Sequence, residues 1–153
     1  MQIYLVRHAH AEDGADDALR PLSAKGRRQA ARMAAWLRRG ELLGAREIWT
    51  SPLVRARVTA GLLVRGLGGK RKLAIVPGLE PEADPAVMAK RLQAVRHAVA
   101  VVGHEPHLSA LATLLLAGRR RAPAVVLKKG AVLALERTGR RWAVRWLAGP
   151  DEV

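Results

Sequence analysis

The order of local signals along the chain predicts an α/β protein, a three-layer α/β/α sandwich built on a mostly parallel sheet with an antiparallel edge. Three observations carry this. Short apolar or β-branched runs alternate with amphipathic helical stretches from residue 2 to about residue 116. One of those runs, His97 to Val102, is apolar after its first residue, as a strand covered on both faces must be. The last two runs, near Val132–Glu136 and Trp142–Trp146, are separated by little more than a turn at Thr138-Gly139, which suits antiparallel neighbours.

Residues 2–7 form the first strand by their β-branched and apolar content. The loop from Ala9 to Leu22 carries Glu12, Asp13, Asp16 and Asp17 and is expected to be mobile. A helix is predicted from Ala24 to Arg39: Ser23 suits the N-cap, Ala30, Met33, Ala34 and Leu37 share one face, and Gly40 stops it. Residues 46–50 give the second strand. Ser51 as N-cap and Pro52 at the first helical position predict a helix running to about Arg65. Gly66 to Lys72 reads as a turn and Leu73 to Val76 as a short strand. Pro77, Pro81 and Pro85 punctuate a loop before a helix over 85–94. After the apolar strand, Pro106 opens a helix through about Leu116. No repeat or interdomain linker interrupts this order, and 1–153 is expected to be a single domain.

Composition narrows the function classes. A chain that is 50% hydrophobic and 26% charged reads as globular and soluble. It starts on a strand pattern rather than a signal sequence, and no apolar run reaches the ~18 residues of a membrane span. A cytoplasmic protein is therefore expected. The lack of cysteine excludes disulfides, thiolate catalysis and cysteine-ligated metal. A net charge of +14 attracts polyanions. Arginine is nevertheless spread over helix faces, helix ends and turns, and no aromatic platform exists on which bases could stack. Dedicated nucleic-acid binding is not expected; the excess of arginine and alanine reads as a compositional bias of the source, with steering of an acidic substrate as the other reading of the charge.

Chemistry-bearing residues gather at three strand ends. Arg7-His8 closes the first strand, Ser51-Pro52 with Arg55 and Thr59 follows the second, and Gly103-His104 closes the apolar strand. Open α/β sheets place ligands at such ends. Taken alone, a histidine there is more often a core residue; a guanidinium next to it suits an anion better than a dry core.

These residues in this order resemble the histidine phosphatase superfamily, which includes the phosphoglycerate mutases. The stretch Arg20-Pro21-Leu22-Ser23-Ala24-Lys25-Gly26 and the short length narrow the resemblance to the small SixA-type phosphohistidine phosphatases. One departure is Ala9, where the family usually has glycine, which matters if that residue needs a positive φ. The resemblance implies a phosphoglycerate-mutase-like fold and a phosphatase without cofactor or metal, working through a phospho-His8 intermediate. Its substrate would be a phosphohistidine on a protein, a small phosphate ester or a polyphosphate. A mutase is disfavoured, since no long insertions are present to enclose a sugar or glycerate phosphate.

Phosphoryl transfer needs a nucleophile, neutralisation of three oxygens and protonation of the leaving group. His8 is the candidate nucleophile, its Nε2 attacking while Nδ1 keeps a proton on a backbone carbonyl. Arg7 and Arg55 are candidate phosphoryl clamps, and His104 is expected to be protonated around a bound dianion. Arg57 lies on another helix face, while His10, His97 and His107 read as structural, with His10 able to line the mouth. Arg20 has two readings of equal weight: a third guanidinium for the phosphate, or an anchor for the acidic loop. For the general acid, Glu80 is the first candidate and Glu82 the second, though the branch often lacks this acid. A phosphohistidine leaves as a readily protonated imidazole and needs it least. Two other classes compete: a zinc hydrolase using His8, His10, His104 and His107, opposed by the arginines and the missing carboxylate, and a basic binding protein with an inactive site.

Overall fold

The computed structural model describes residues 1–153. Six strands form one sheet: β1 (Gln2–Arg7), β2 (Glu47–Thr50), β3 (Lys72–Ile75), β4 (Val99–Gly103), β5 (Val132–Thr138) and β6 (Arg141–Ala148). Their order across the sheet is β3-β2-β4-β1-β5-β6, with the first four parallel and β5 and β6 antiparallel. The predicted antiparallel edge is thus the C-terminal hairpin, which turns through Gly139 at φ 62°.

Alternation along the strands assigns the two faces. Ile3, Leu5, Val99 and Val101 point into a core with Met88, Leu92, Leu108 and Leu111, from helices α3 (Pro85–Ala94) and α4 (His107–Ala117). Tyr4, Val6, Ala100 and Val102 point the other way, against Met33, Leu37, Ala60 and Leu63 of α1 (Ala24–Arg39) and α2 (Val54–Leu67). Both central strands are buried on both faces, which accounts for the uninterrupted apolar character of β4.

Where caps are local, the predicted boundaries match. Ser23 Oγ accepts from the Gly26 N–H at 3.0 Å and starts α1, while Asp84 Oδ1 accepts from the Ala86 N–H at 2.9 Å ahead of Pro85 and starts α3. The second helix differs. Ser51 is not its N-cap and Pro52 is not its first residue; Leu53 is the cap and the helix runs to Leu67. The Ser51 N–H still donates to Val102 O of β4 at 3.0 Å, the chain bends at Pro52 and Leu53, and Ala56 and Arg57 then donate to Leu53 O. Similarly, β4 begins at Val99 rather than His97, whose exposed ring instead meets the Glu47 carboxylate at 2.7 Å.

The acidic loop after β1 is fastened rather than free. Ala11 bridges Leu22, a 3₁₀ turn forms over Asp17–Leu19, and the His10 carbonyl sits so close to Gly26 that a Cβ there would lie 1.9 Å from it. No helix is long and apolar enough to cross a membrane.

Candidate active site

Strand order brings the three junctions together. The register pairs Arg7 with Gly103 and Thr50 with Val102, so the residues after β1, β2 and β4 emerge side by side at one end of the sheet. The His8 N–H donates to Gly103 O at 3.0 Å, and the His8 and His104 rings lie with centroids 5.1 Å apart.

His8 is 6% exposed. Its Nδ1 lies 2.7 Å from Ala9 O, a contact that only a protonated Nδ1 can make as a hydrogen bond, and which therefore leaves the Nε2 lone pair free in the neutral ring. Burial lowers the pKa of His8 to about 4; the bond to the Ala9 carbonyl opposes this, and the Arg55, Arg7 and Lys129 cations reinforce it. The ring is consequently neutral at pH 7. His104 is pushed down to about 3, first by burial and then by His8 and Arg55. In the free protein it too is neutral, and its expected protonation must come from a bound anion that reverses this balance.

Ala9 does not need a positive φ, since Glu41 is the one non-glycine residue with φ above zero. Its methyl packs with Leu22 and Ala30, and its N–H donates to Thr59 Oγ1 at 3.0 Å. Thr59 in turn donates to Arg55 O at 2.8 Å, tying the segment after β1 to the first turns of α2. Arg55 is buried. Its Nη1 donates to Asp17 O at 2.7 Å and its Nη2 meets Asp17 Oδ2 at 3.2 Å. Arg7 sends Nη1 to Leu127 O at 2.8 Å. The Nε atoms of Arg7 and Arg55 and the Nδ1 of His104 are buried without partners, so donor capacity for an anion remains at these residues.

The structure sorts the remaining candidates. Arg20 binds the loop itself, through Glu12 O at 2.8 Å and Asp17 Oδ1 at 3.0 Å, the geometry of the anchor reading. Glu80 folds back to accept from the Gly78 N–H at 2.7 Å. Arg57 and Glu82 are exposed. His10 Nδ1 lies 2.6 Å from Ser23 Oγ, His107 is buried with both ring nitrogens unpartnered, and no three His, Asp or Glu side chains converge in a metal-holding group.

Three participants were not legible in the sequence. Ser51, read as a helix cap, lies with Oγ 2.5 Å from His104 Nε2 and orients that ring. Asp17, one of four acids in a loop, occupies Arg55. Lys129 lies in a loop that folds back onto β1, where the Gly130 N–H meets the carbonyls of Arg7 and His8 at 3.2 and 3.1 Å. No local pattern marks such long-range returns.

The arrangement is a neutral imidazole with a free Nε2 beside cationic side chains, which can chemically accept a phosphoryl group. The family model of the histidine phosphatase superfamily (branch 1) matches residues 3–82. The chain is 30% identical over 123 residues to phosphohistidine phosphatase SixA of Escherichia coli strain K12, covering 77% of this chain and 76% of that protein. Among solved structures, the protein histidine phosphatase SixA complexed with tungstate superposes with a TM-score of 0.89 at 26% identity, over 99% of this chain and 98% of that one. An Escherichia coli structure described as a putative alpha-ribazole-5'-P phosphatase superposes at 0.79 and 20% identity, over 98% of both chains, and shares the fold.

Proposed function

The chain belongs to the histidine phosphatase superfamily, in its SixA-type branch, and is a phosphatase; we propose that its substrate is a phosphohistidine carried on a protein. In the proposed reaction the Nε2 lone pair of His8 attacks phosphorus. The bond from phosphorus to the substrate imidazole breaks, and that imidazole leaves with the electron pair and takes up a proton. Water then attacks the phospho-His8, releasing orthophosphate and restoring neutral His8. Arg7 and Arg55 would neutralise the non-bridging oxygens, and His104, protonated by the incoming dianion, would donate to one of them. For Arg55 this requires exchanging Asp17 for phosphoryl oxygens.

The observation that carries the substrate class is the position of Glu80. Its carboxylate Oε2 is engaged by its own loop at Gly78, so Glu80 is not presented to an alkoxide leaving group. An imidazole leaving group is protonated near neutrality and needs no such acid. The similarity to the Escherichia coli phosphohistidine phosphatase supports the same reading.

The test compares kcat/KM for a phosphohistidine peptide, an aryl phosphate and an alkyl phosphate, in wild type and Glu80→Gln. Phosphohistidine should be hydrolysed far faster than the alkyl ester, and the variant should change its rate by less than about twofold. Efficient alkyl ester hydrolysis that collapses in the variant would make Glu80 a general acid and place the enzyme among phosphatases of small esters.

A further inference from the structure

Beside the phosphoryl site lies a cavity of about 340 Å³ lined, apart from Gly149 and Pro150, by charged and polar residues. Its wall includes Arg7, Lys25, Lys128, Lys129, Asp151 and Glu152, four cations against two carboxylates. The chain has six lysines, so half of them meet here, in a protein that otherwise places its positive charge on arginine. They come from separate elements: Lys25 from the first turn of α1, Lys128 and Lys129 from the loop before β5. That loop is held against the nucleophile strand by the bond from Arg7 Nη1 to Leu127 O and by the Gly130 N–H on Arg7 and His8. Gly130 has φ 78°, and a Cβ there would meet Pro150 at 2.8 Å, so the turn that delivers the two lysines admits no side chain at its apex.

The lysines are unsatisfied. Lys25, Lys128 and Lys129 form none of the molecule's ion pairs, although Asp151 and Glu152 share their cavity. Glu152 instead accepts from the Gly149 N–H at 3.0 Å. Four cations gathered around one cavity outnumber its two carboxylates, and an anionic ligand would relieve their mutual repulsion.

We infer that this cavity is a second anion subsite, which takes carboxylate side chains flanking the phosphorylated histidine of a protein substrate. The inference rests on the phosphohistidine reading above and adds a specificity element to it. Arg7 belongs to both places, so a group in the cavity lies within a residue or two of the phosphoryl group. Lysines are hydrated point charges on flexible stems, suited to carboxylates that differ in position from one substrate to another; fixed bidentate capture of a second phosphate favours arginine forks. Apart from His10, Gly149 and Pro150 the lining is charged or amide-bearing, which favours an anionic side chain over a nucleoside base or acyl chain.

The test uses two phosphohistidine peptides that differ only in flanking residues, Asp and Glu in one and Asn and Gln in the other, with wild type and the double variant Lys25→Gln/Lys128→Gln. Lys129 is left in place because its charge acts on His8. The acidic peptide should have a kcat/KM about tenfold higher through a lower KM, two screened charge pairs together giving roughly that factor. The ratio should fall toward one in the variant and at high salt. A ratio near one in wild type, or one that survives in the variant, overturns the inference. If neither peptide is dephosphorylated, the substrate reading fails, and calorimetric titration with the unphosphorylated acidic peptide still decides the subsite. Binding weakened in the variant upholds it; equal binding, or none, removes it. A lysine-dependent advantage seen for a small bisphosphate and not for the acidic peptide would also overturn it.

Discussion

Acidification from pH 7 to pH 4 probes the electrostatics of the strand-end site most directly. Burial, with Arg55, Arg7 and Lys129 acting in the same direction, takes the pKa of His8 from 6.5 to about 4. At pH 5 an ordinary imidazole is only ~3% neutral, whereas one with a pKa of 4 is ~90% neutral, a difference of about 30-fold in available nucleophile. The acid limb of kcat/KM, corrected for ionisation of an aryl phosphate substrate, should therefore fall well below pH 6. The same depression has a consequence for stability. Folding favours the neutral ring, so the unfolded chain binds the proton more readily; the contribution is fully present above pH 6.5 and is lost as the pH falls through the folded value near 4. A difference of 2.5 in pKa corresponds to on the order of 3 kcal/mol of acid destabilisation from His8. Histidine ring NMR in phosphate-free buffer reads the midpoint, and denaturant melts at pH 7 and pH 4.5 read the stability. Lys129→Ala should move the His8 midpoint upward, since it removes a cation. A midpoint at 6 or above in wild type would refute the electrostatic account.

His8→Ala should abolish turnover while thermal unfolding shows an intact fold, and wild type quenched in mid-turnover should carry an acid-labile, alkali-stable phosphoryl group on His8; a label on Ser51, which touches His104, would reassign the nucleophile. Arg55→Ala and His104→Ala should each lower kcat about 10²- to 10³-fold, as loss of one donor to a charged transition state does, with the double variant falling short of the product. Thr59→Val leaves the buried Ala9 N–H without its acceptor, so denaturant unfolding should show a loss of roughly 1–3 kcal/mol; a change within 0.5 kcal/mol would mean that this bond does not brace the loop.

Both Ser23 and Ser51 look like helix caps in the sequence, and only one of them is. Ser23 Oγ accepts from the Gly26 N–H while also meeting His10 Nδ1 at 2.6 Å. Ser51 follows a strand whose neighbour still claims its N–H, and its hydroxyl turns to His104, 53 residues away. The difference lies in the strand order, which no window around either serine contains. Glu80 is a local case: its place in the chain fits a general acid, and its carboxylate is taken by the N–H of Gly78 two residues before it.

Periodicity, caps and turn residues act over a few residues, and these the sequence by itself determined: the approximate extents of α1 and α3, the apolar β4 between two layers, the C-terminal hairpin, and Arg7, His8, Arg55 and His104 at the ends of elements. Tertiary structure decided what depends on distant segments meeting. It set β4 between β1 and β2, which brings His8 and His104 to 5.1 Å. It also put Asp17 on Arg55 and folded three lysines around a cavity that Arg7 lines. The physical reason is range: hydrogen-bonded turns and apolar stripes are local, whereas burial, charge proximity and the pKa values they set exist only after strands far apart in sequence have paired.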